Sequence, residues 1–225
     1  MSFINQSIRC SKHYSVVIVI LLCFQVNIFA QKPTLPIPME LLVGDKKLYS
    51  QMVLKKPFSS QSKFDIFGLA TYSADYRNDM NENRITIITQ ISYNFKQGFG
   101  VMAGTDINSF SGFSPIIGPQ HNFANQKWLA ITIASFFINE SNDFKIFGLY
   151  EYKPKINEQW GIYSRLQFIY NHSLKEGRHN VSYIYLRAGL KRESFIFGLG
   201  ANIDWSGPNK KSFENLGGFL RWEFK

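Results

Sequence analysis

Apolar and polar residues alternate with a two-residue period along the stretch Trp160–Trp205. The alternation is interrupted at 172–180 and resumes after this segment. A further alternating run begins at Phe195. Such a period predicts β-strands, and runs of about ten residues have the length that a tilted strand needs to cross a bilayer. The apolar side carries Ile162, Leu166, Phe168, Ile184, Leu186, Leu190, Phe197, Leu199 and Ile203, whereas the other side carries Arg165, Gln167, Tyr185, Arg187, Asn202 and Asp204.

The same pattern predicts strands over most of the remaining chain. Between them lie short polar or glycine-containing segments, such as Lys96-Gln97-Gly98 and the asparagine-rich segment 77–83, which indicate hairpin turns and loops. The predicted strands are 48–58, 64–75, 85–95, 99–107, 128–138, 144–152 and 216–224, in addition to those within 160–205.

The strand number depends on two ambiguous segments. Pro115 and Pro119 interrupt 113–124, and each proline removes a ladder donor. If 113–124 is nevertheless a strand, the short apolar segment Met39–Val43 completes an even set of about twelve; if it is a loop, about ten remain. We favour twelve, because this count keeps the turns on the side of the termini short.

The uniform apolar face favours a membrane barrel over a soluble sandwich. In lipid every backbone polar group has to be paired within the protein, so strands that cross a membrane must close on themselves. A soluble sandwich also alternates, but it would carry more Lys and Glu on its polar face. We therefore predict an all-β fold: a transmembrane, antiparallel, up-and-down β-barrel of about 12 strands, with 10 as the alternative.

The first thirty residues differ from the rest. Met1–Ala30 has no acidic residue, places Arg9 and Lys12 before an apolar run, and ends in Ile28-Phe29-Ala30. These features predict a secretory signal peptide cleaved after Ala30, with a membrane anchor as the alternative. The predicted organisation is a signal peptide at 1–30, a periplasmic lead at 31–38 and the barrel at 39–225. Both cysteines, Cys10 and Cys23, lie in the first segment, so the mature chain would lack thiol chemistry and disulfides.

Charge points to anionic surroundings without identifying a ligand. The chain has 25 basic and 16 acidic residues, and removal of Arg9 and Lys12 with the signal peptide leaves a net charge of about +7. Solvated loop charges are one explanation, and contact with lipopolysaccharide phosphates is another. No basic helix or nucleic-acid-binding motif is present, so we expect no nucleic acid partner. The basic residues in predicted loops are Lys46, Lys47, Arg178, His179, Lys210 and Lys211.

The end of the chain resembles that of known bacterial barrels. Leu220-Arg221-Trp222-Glu223-Phe224 is similar to the amphipathic terminal strand read by the barrel-assembly machinery, although Lys225 follows the aromatic residue. With Glu151-Tyr152-Lys153-Pro154 and Phe197-Gly198-Leu199-Gly200, the mature chain resembles uncharacterised outer-membrane β-barrel proteins of Gram-negative bacteria. The resemblance implies this fold, an outer-membrane location, and contact with outer-membrane lipids, lipopolysaccharide and the assembly machinery. It implies no activity and no oligomeric state.

Charged residues on the predicted inward face indicate a network in the lumen. Glu151, Arg165 and Arg187 lie on three successive predicted strands, where Arg–carboxylate pairing across the wall is expected. Such charges either form a selectivity surface in a pore or close the lumen by pairing, and we favour pairing. The predicted network comprises Glu151, Arg165, Gln167, Arg187, Asp204, Arg221 and Glu223.

The sequence leaves a structural role, a passive small-solute pore and an enzyme as alternatives. A lipid-modifying or hydrolytic enzyme would need a nucleophile and a base at the outer rim, and His172, Ser173 and His179 are the weak candidates. No cofactor motif is present, and these two histidines lack a metal-ligand spacing on one strand face, so neither a cofactor nor a metal is expected. We favour a structural or passive-transport barrel.

Overall fold

The computed structural model describes residues 36–77 and 82–224, and these residues form twelve β-strands. The predicted signal peptide and the lead as far as residue 35 lie outside the described residues. The strands are β1 Ile37–Gly44, β2 Lys47–Pro57, β3 Phe64–Asp75, β4 Arg84–Asn94, β5 Phe99–Asn108, β6 Gly112–Ala124, β7 Trp128–Phe137, β8 Asp143–Tyr152, β9 Trp160–Ser173, β10 Arg178–Arg192, β11 Phe195–Ser206 and β12 Lys211–Phe224.

Each strand pairs antiparallel with its neighbours in sequence, and β1 pairs with β12 to close a barrel. The closing ladder runs from Ile37 opposite Phe224 to Gly44 opposite Gly217. The prediction of a twelve-stranded up-and-down barrel is therefore confirmed, and neither the ten-stranded alternative nor the sandwich is found. The first strand begins at Ile37, two residues before the predicted start of the barrel.

Strand β6 shows how the chain accommodates two prolines inside a sheet. Both prolines have register partners in β5, where Pro115 lies opposite Thr105 and Pro119 opposite Val101. On the β7 side the pairing skips Gly118 and Pro119 and resumes at Gln120. Pro119 therefore lies in a local gap of the β6–β7 ladder, and Pro115 lies just before the first pair of that ladder at Ile116. Neither proline has to donate to β7, which is why a proline-containing segment still forms a strand.

The connections are short at both ends of the barrel. The turns 58–63, 95–98, 125–127, 153–159 and 193–194 share one end with both described termini, and the other end carries 45–46, 76–83, 109–111, 138–142, 174–177 and 207–210. We call these the terminal end and the loop end. If the termini lie in the periplasm, the loop end faces outward.

The outer surface is apolar along the strands. Leu199 is 75 % exposed, and its neighbours along β11 and β12 that share this face include Phe197 and Leu220. Rings line the outward face near the terminal end, where Trp222 stacks on Phe195 and Trp128 packs against Tyr152. An apolar band with aromatic residues toward its edge is the surface that a barrel presents to lipid. The described part of the chain contains no helix that is long and apolar enough to span a membrane.

Side chains fill the interior. One apolar cluster occupies the lumen beside β2–β8, and two rings from distant strands, Phe67 on β3 and Phe147 on β8, meet there with centroids 5.8 Å apart. Contact between β3 and β8 requires side chains to reach across the lumen. The buried members of this apolar cluster are Val53, Phe67, Leu69, Ile88, Met102, Ile116, Ile131, Ile133, Phe137, Phe147 and Leu149.

Candidate functional site in the lumen

The lumen beside β1 and β8–β12 differs from the apolar side. Its second buried cluster mixes Tyr49, Tyr163 and Tyr185 with apolar residues, and charged side chains lie between them. These charged and polar groups follow one another from the terminal end to the loop end, and we call them the polar file. Its members are Lys153, Lys191, Glu223, Arg221, Glu151, Glu40, Arg165, Arg187, Asn202, Gln167, Tyr183, Tyr185 and Asp204.

The middle of the polar file is a clasp made by Glu40, Arg165 and Arg187. Arg165 Nη2 lies 2.7 Å and Arg187 Nε 2.8 Å from the same oxygen, Oε1 of Glu40. The two arginines are opposite one another on β9 and β10, whereas Glu40 reaches them from β1. All three side chains are at most 1 % exposed, so the clasp crosses the lumen in a water-poor interior where charge-assisted bonds are strong.

Nearer the terminal end, Arg221 joins two carboxylates. Its Nη1 lies 2.6 Å from Oε1 of Glu151 and its Nη2 3.0 Å from Oε1 of Glu223. The hydroxyl of Tyr163 donates to Glu151 at 3.1 Å and accepts from Arg221 at 2.7 Å. Lys191 also bonds to Glu223. Each carboxylate therefore has cationic partners, which is what makes burial of these charges tolerable.

Lys153 closes this end of the polar file from the turn after β8. Its Nζ lies 3.0 Å from Glu151 and 3.1 Å from Glu223. Burial by itself lowers the pKa of Lys153, but the two carboxylates more than offset this effect, and the pKa lies above its usual 10.5. Lys153 is therefore a cation at the mouth of the lumen at any ordinary pH.

Toward the loop end the polar file becomes uncharged for part of its length. Gln167 donates to the hydroxyl of Tyr183 at 2.9 Å, and Tyr185 donates to Asp204 at 2.8 Å. The rings of Tyr183 and Tyr185 stack with centroids 4.0 Å apart. Arg187 Nη1 of the clasp donates to Asn202 at 2.8 Å, and Asn202 is the register partner of Tyr185 on the neighbouring strand.

The structure brings the predicted network residues together but pairs them differently. Glu151 and Arg165 are opposite one another on β8 and β9, yet Arg165 binds Glu40 and Glu151 binds Arg221. Sequence reasoning missed Glu40 because it lies in the short segment interpreted only as apolar. The period-two pattern could have identified Glu40, because a strand here sets Glu40 on the inward face, opposite to the face of Met39 and Leu41.

The predicted catalytic candidates do not form a catalytic arrangement. Ser173 is buried, and its hydroxyl donates to the carbonyl of Ser141 at 3.0 Å and accepts from the amide of Glu176 at 3.1 Å. His172 is the next residue along the same strand and points to the opposite face. His179 is 5 % exposed and bonds to the Gly207 carbonyl and the Ser182 hydroxyl.

Four of the basic residues expected in loops, Lys47, Arg178, His179 and Lys211, lie at the start of strands, and two of these, Lys47 and His179, are buried. Lys47 begins β2, is 6 % exposed, and its ammonium lies 3.2 Å from Glu82. His179 belongs to β10 and is buried. These expectations were wrong because each strand extends further toward the loop end than the pattern indicated. Within residues 36–77 and 82–224, no group of three or more His, Cys, Asp or Glu residues could hold a metal ion.

A closed barrel with an apolar exterior and a polar file inside defines the class: the chain is an integral membrane β-barrel. No protein-family model and no curated protein matches it. Among solved structures, it is similar to the KdgM porin, with 9 % identity, TM-score 0.46 and coverage of 84 % of this chain and 99 % of that one. It is also similar to the NanC porin, with 10 % identity, TM-score 0.48 and coverage of 85 % and 100 %.

A further similar structure is the β domain of the Bordetella autotransporter BrkA, with 9 % identity, TM-score 0.38 and coverage of 84 % of this chain and 98 % of that one. At such low identity these likenesses concern the backbone fold.

Proposed function

We propose that the protein is a Gram-negative outer-membrane β-barrel in which the polar file is the route for small solutes, closed at rest by the clasp of Glu40, Arg165 and Arg187. The observation that carries this proposal is the series of buried charged side chains that lies beside β1 and β8–β12 from the terminal end toward the loop end. Fixed charges along a lumen are how pores bias the solutes that pass. The lumen beside β2–β8 holds the large apolar cluster, and polar groups there, such as Lys145 with Asp106, are paired with one another.

Closure follows from burial. Arg165 is 3 % and Arg187 2 % exposed, so bulk water does not reach the middle of the lumen in this conformation. Passage of a solute requires the clasp to open or its side chains to move aside. The resting protein should therefore show a low conductance, with rare openings, rather than the steady current of a wide channel.

Single-channel recording of the refolded protein in planar bilayers tests this proposal. Removal of most of the Arg187 side chain leaves a space lined by polar groups, so Arg187→Ala should raise the conductance and change the ion preference. Phe67→Ala is the matched control, because it removes a large buried side chain from the apolar side, and cavities lined by apolar groups stay dry. Equal conductance of wild type, Arg187→Ala and Phe67→Ala, all correctly folded, would contradict the proposed route.

The filled lumen favours a second candidate, a barrel with a structural role. In that case the ion pairs serve only to neutralise buried charge, and no variant that keeps the fold conducts. Contacts with lipids, lipopolysaccharide and the barrel-assembly machinery belong to both proposals. They are supported by the apolar exterior and by four exposed basic residues at the loop end, Lys46, Arg178, Lys210 and Lys211.

A further inference from the structure

The arginines of the polar file keep hydrogen-bond donors that nothing in the described chain accepts. These are Nε and Nη1 of Arg165, Nη2 of Arg187 and Nε of Arg221. The three residues are 2–3 % exposed, so bulk water does not take the place of the missing acceptors. Buried donors without a partner are expensive, and most buried polar groups in native proteins have one.

Charge is also unbalanced in the same place. The clasp sets one carboxylate, Glu40, against two cations, and the group around Arg221 sets two carboxylates, Glu151 and Glu223, against three cations, so each group carries a net charge of +1. The cations are Arg165, Arg187, Arg221, Lys153 and Lys191. An excess of positive charge in a buried network is costly unless something of opposite sign lies nearby.

Within the clasp, Oε2 of Glu40 is also buried and has no hydrogen-bond partner among the described residues. Both arginines bond to Oε1 of Glu40, so a single oxygen serves two guanidinium groups. The rings of Tyr49 and Phe219 each lie 5.8 Å from the Arg187 guanidinium carbon. The faces of a guanidinium can be covered by rings, but its N–H bonds lie in its plane and require acceptors at its edge.

We infer that Arg165 and Arg187 bind a small inorganic anion of the charge and size of chloride, beside Glu40 in the middle of the lumen. A monovalent anion accepts several in-plane N–H bonds at once and lowers the net charge of the network. A small ion is required because aromatic and apolar side chains pack around the clasp, and a larger carboxylate would have to displace Tyr49 or Phe219. Binding does not depend on whether solutes cross the barrel.

Thermal unfolding of the folded barrel in detergent tests the site. The wild type is heated in sodium chloride or sodium gluconate at the same ionic strength, which keeps screening constant. A bound chloride should raise the unfolding temperature in a saturable manner, by about 2–4 °C for a ligand at a few times its dissociation constant. Arg187→Met should abolish the chloride-specific rise, whereas Arg178→Gln, which changes an exposed arginine, should retain it.

Glu40→Gln provides a test of opposite sign that does not require loss of an arginine. The substitution removes the carboxylate that competes with the anion, so half of the rise should be reached at a lower chloride concentration than in wild type. If Arg187→Met does not fold, the chloride dependence of the unfolding temperature in Glu40→Gln and in the milder variant Arg187→Lys tests the site. Identical unfolding temperatures in chloride and gluconate for both wild type and Glu40→Gln would overturn the proposal and leave water as the partner of these donors. The assay is independent of conductance, so failure of the proposed pore would not affect it.

Discussion

The side-chain amide of Asn215 bonds to the backbone of Lys47 as a strand partner would. Its Oδ1 accepts from the Lys47 amide at 2.9 Å, and its Nδ2 donates to the Lys47 carbonyl at 3.0 Å. A third bond joins Oδ1 to the amide of Lys46 at 3.1 Å. Gly44 allows this approach, since a Cβ there would lie 2.2 Å from Oδ1 of Asn215. The first hairpin is thereby tied to the last strand beyond the closing ladder.

Asn215→Ala should weaken closure of the barrel. The substitution leaves backbone groups of Lys47 buried without partners, at a cost of about 1–3 kcal/mol for each group. Urea-induced unfolding of the barrel in detergent, followed by tryptophan fluorescence, measures the loss. Asn122→Ala is the matched control, because both polar side-chain atoms of Asn122 are buried and lack hydrogen-bond partners among the described residues, and its removal should cost little. Equal losses would show that the Asn215 bonds contribute nothing specific.

Leu199→Arg should impair assembly into the membrane. Leu199 is 75 % exposed near the middle of β11, and a charge at the centre of the lipid-facing band costs about 2–4 kcal/mol. Leu174→Arg should assemble as wild type does, because Leu174 is also an exposed leucine but lies in a loop-end turn and not on the lipid-facing band. Heat-modifiable migration of membrane extracts on a denaturing gel reports the folded fraction. Normal assembly of Leu199→Arg would mean that this face does not lie in lipid.

Removal of Lys145 alone should be far more damaging than removal of Lys145 together with its partner Asp106. Both side chains are buried, so Lys145→Met leaves an unpaired carboxylate at a cost of about 3–5 kcal/mol. The double variant Lys145→Met with Asp106→Leu should recover most of that loss. Arg178→Gln, which breaks an exposed ion pair with Glu176, should cost less than about 1 kcal/mol. Urea unfolding measures all three, and a double variant as unstable as the single one would contradict the argument.

Lys153 should stabilise the barrel in a pH-dependent manner. Because its folded pKa is raised above 10.5, its contribution is fully present below that value and is lost as the pH rises through the folded pKa. The difference in unfolding free energy between wild type and Lys153→Met should therefore be constant near pH 8 and shrink in strongly alkaline solution. Lys127→Met, an exposed control, should show no such trend. If the difference in unfolding free energy stayed constant up to strongly alkaline pH, the contacts of Lys153 with the two carboxylates would not be the cause of its stabilising effect.

Much of the fold was predictable because the two faces of most strands differ in chemistry. In β11, Leu199 and Asn202 fall on opposite faces in the pattern, and the structure has them 75 % and 3 % exposed. Strand β6 was ambiguous, since its prolines argue against a ladder position, and whether Pro119 falls in a gap of the ladder depends on how β6 pairs with β7, which the local sequence does not specify. The ends of strands were harder to predict, because the local sequence does not distinguish a buried Lys47 from an exposed one.

The pairing within the lumen was not predictable from local sequence. Arg165 has a carboxylate directly opposite on β8 and a second one on β1, and it binds the second. That choice depends on how far each side chain reaches across the closed barrel. A period-two pattern sets the face on which a residue lies, but it carries no information about distances across the lumen.

The buried polar side chains also bear on how the chain finds its register. In β4, a slip by one residue would turn the buried Gln90 and Ser92 toward lipid. The same slip in β9, β10 or β12 would place Arg165, Arg187 or Arg221 in hydrocarbon, where a charge costs more than an amide or a hydroxyl. Misaligned intermediates are therefore penalised most strongly along the strands that carry the buried arginines, and these strands do most to set the alignment of the barrel.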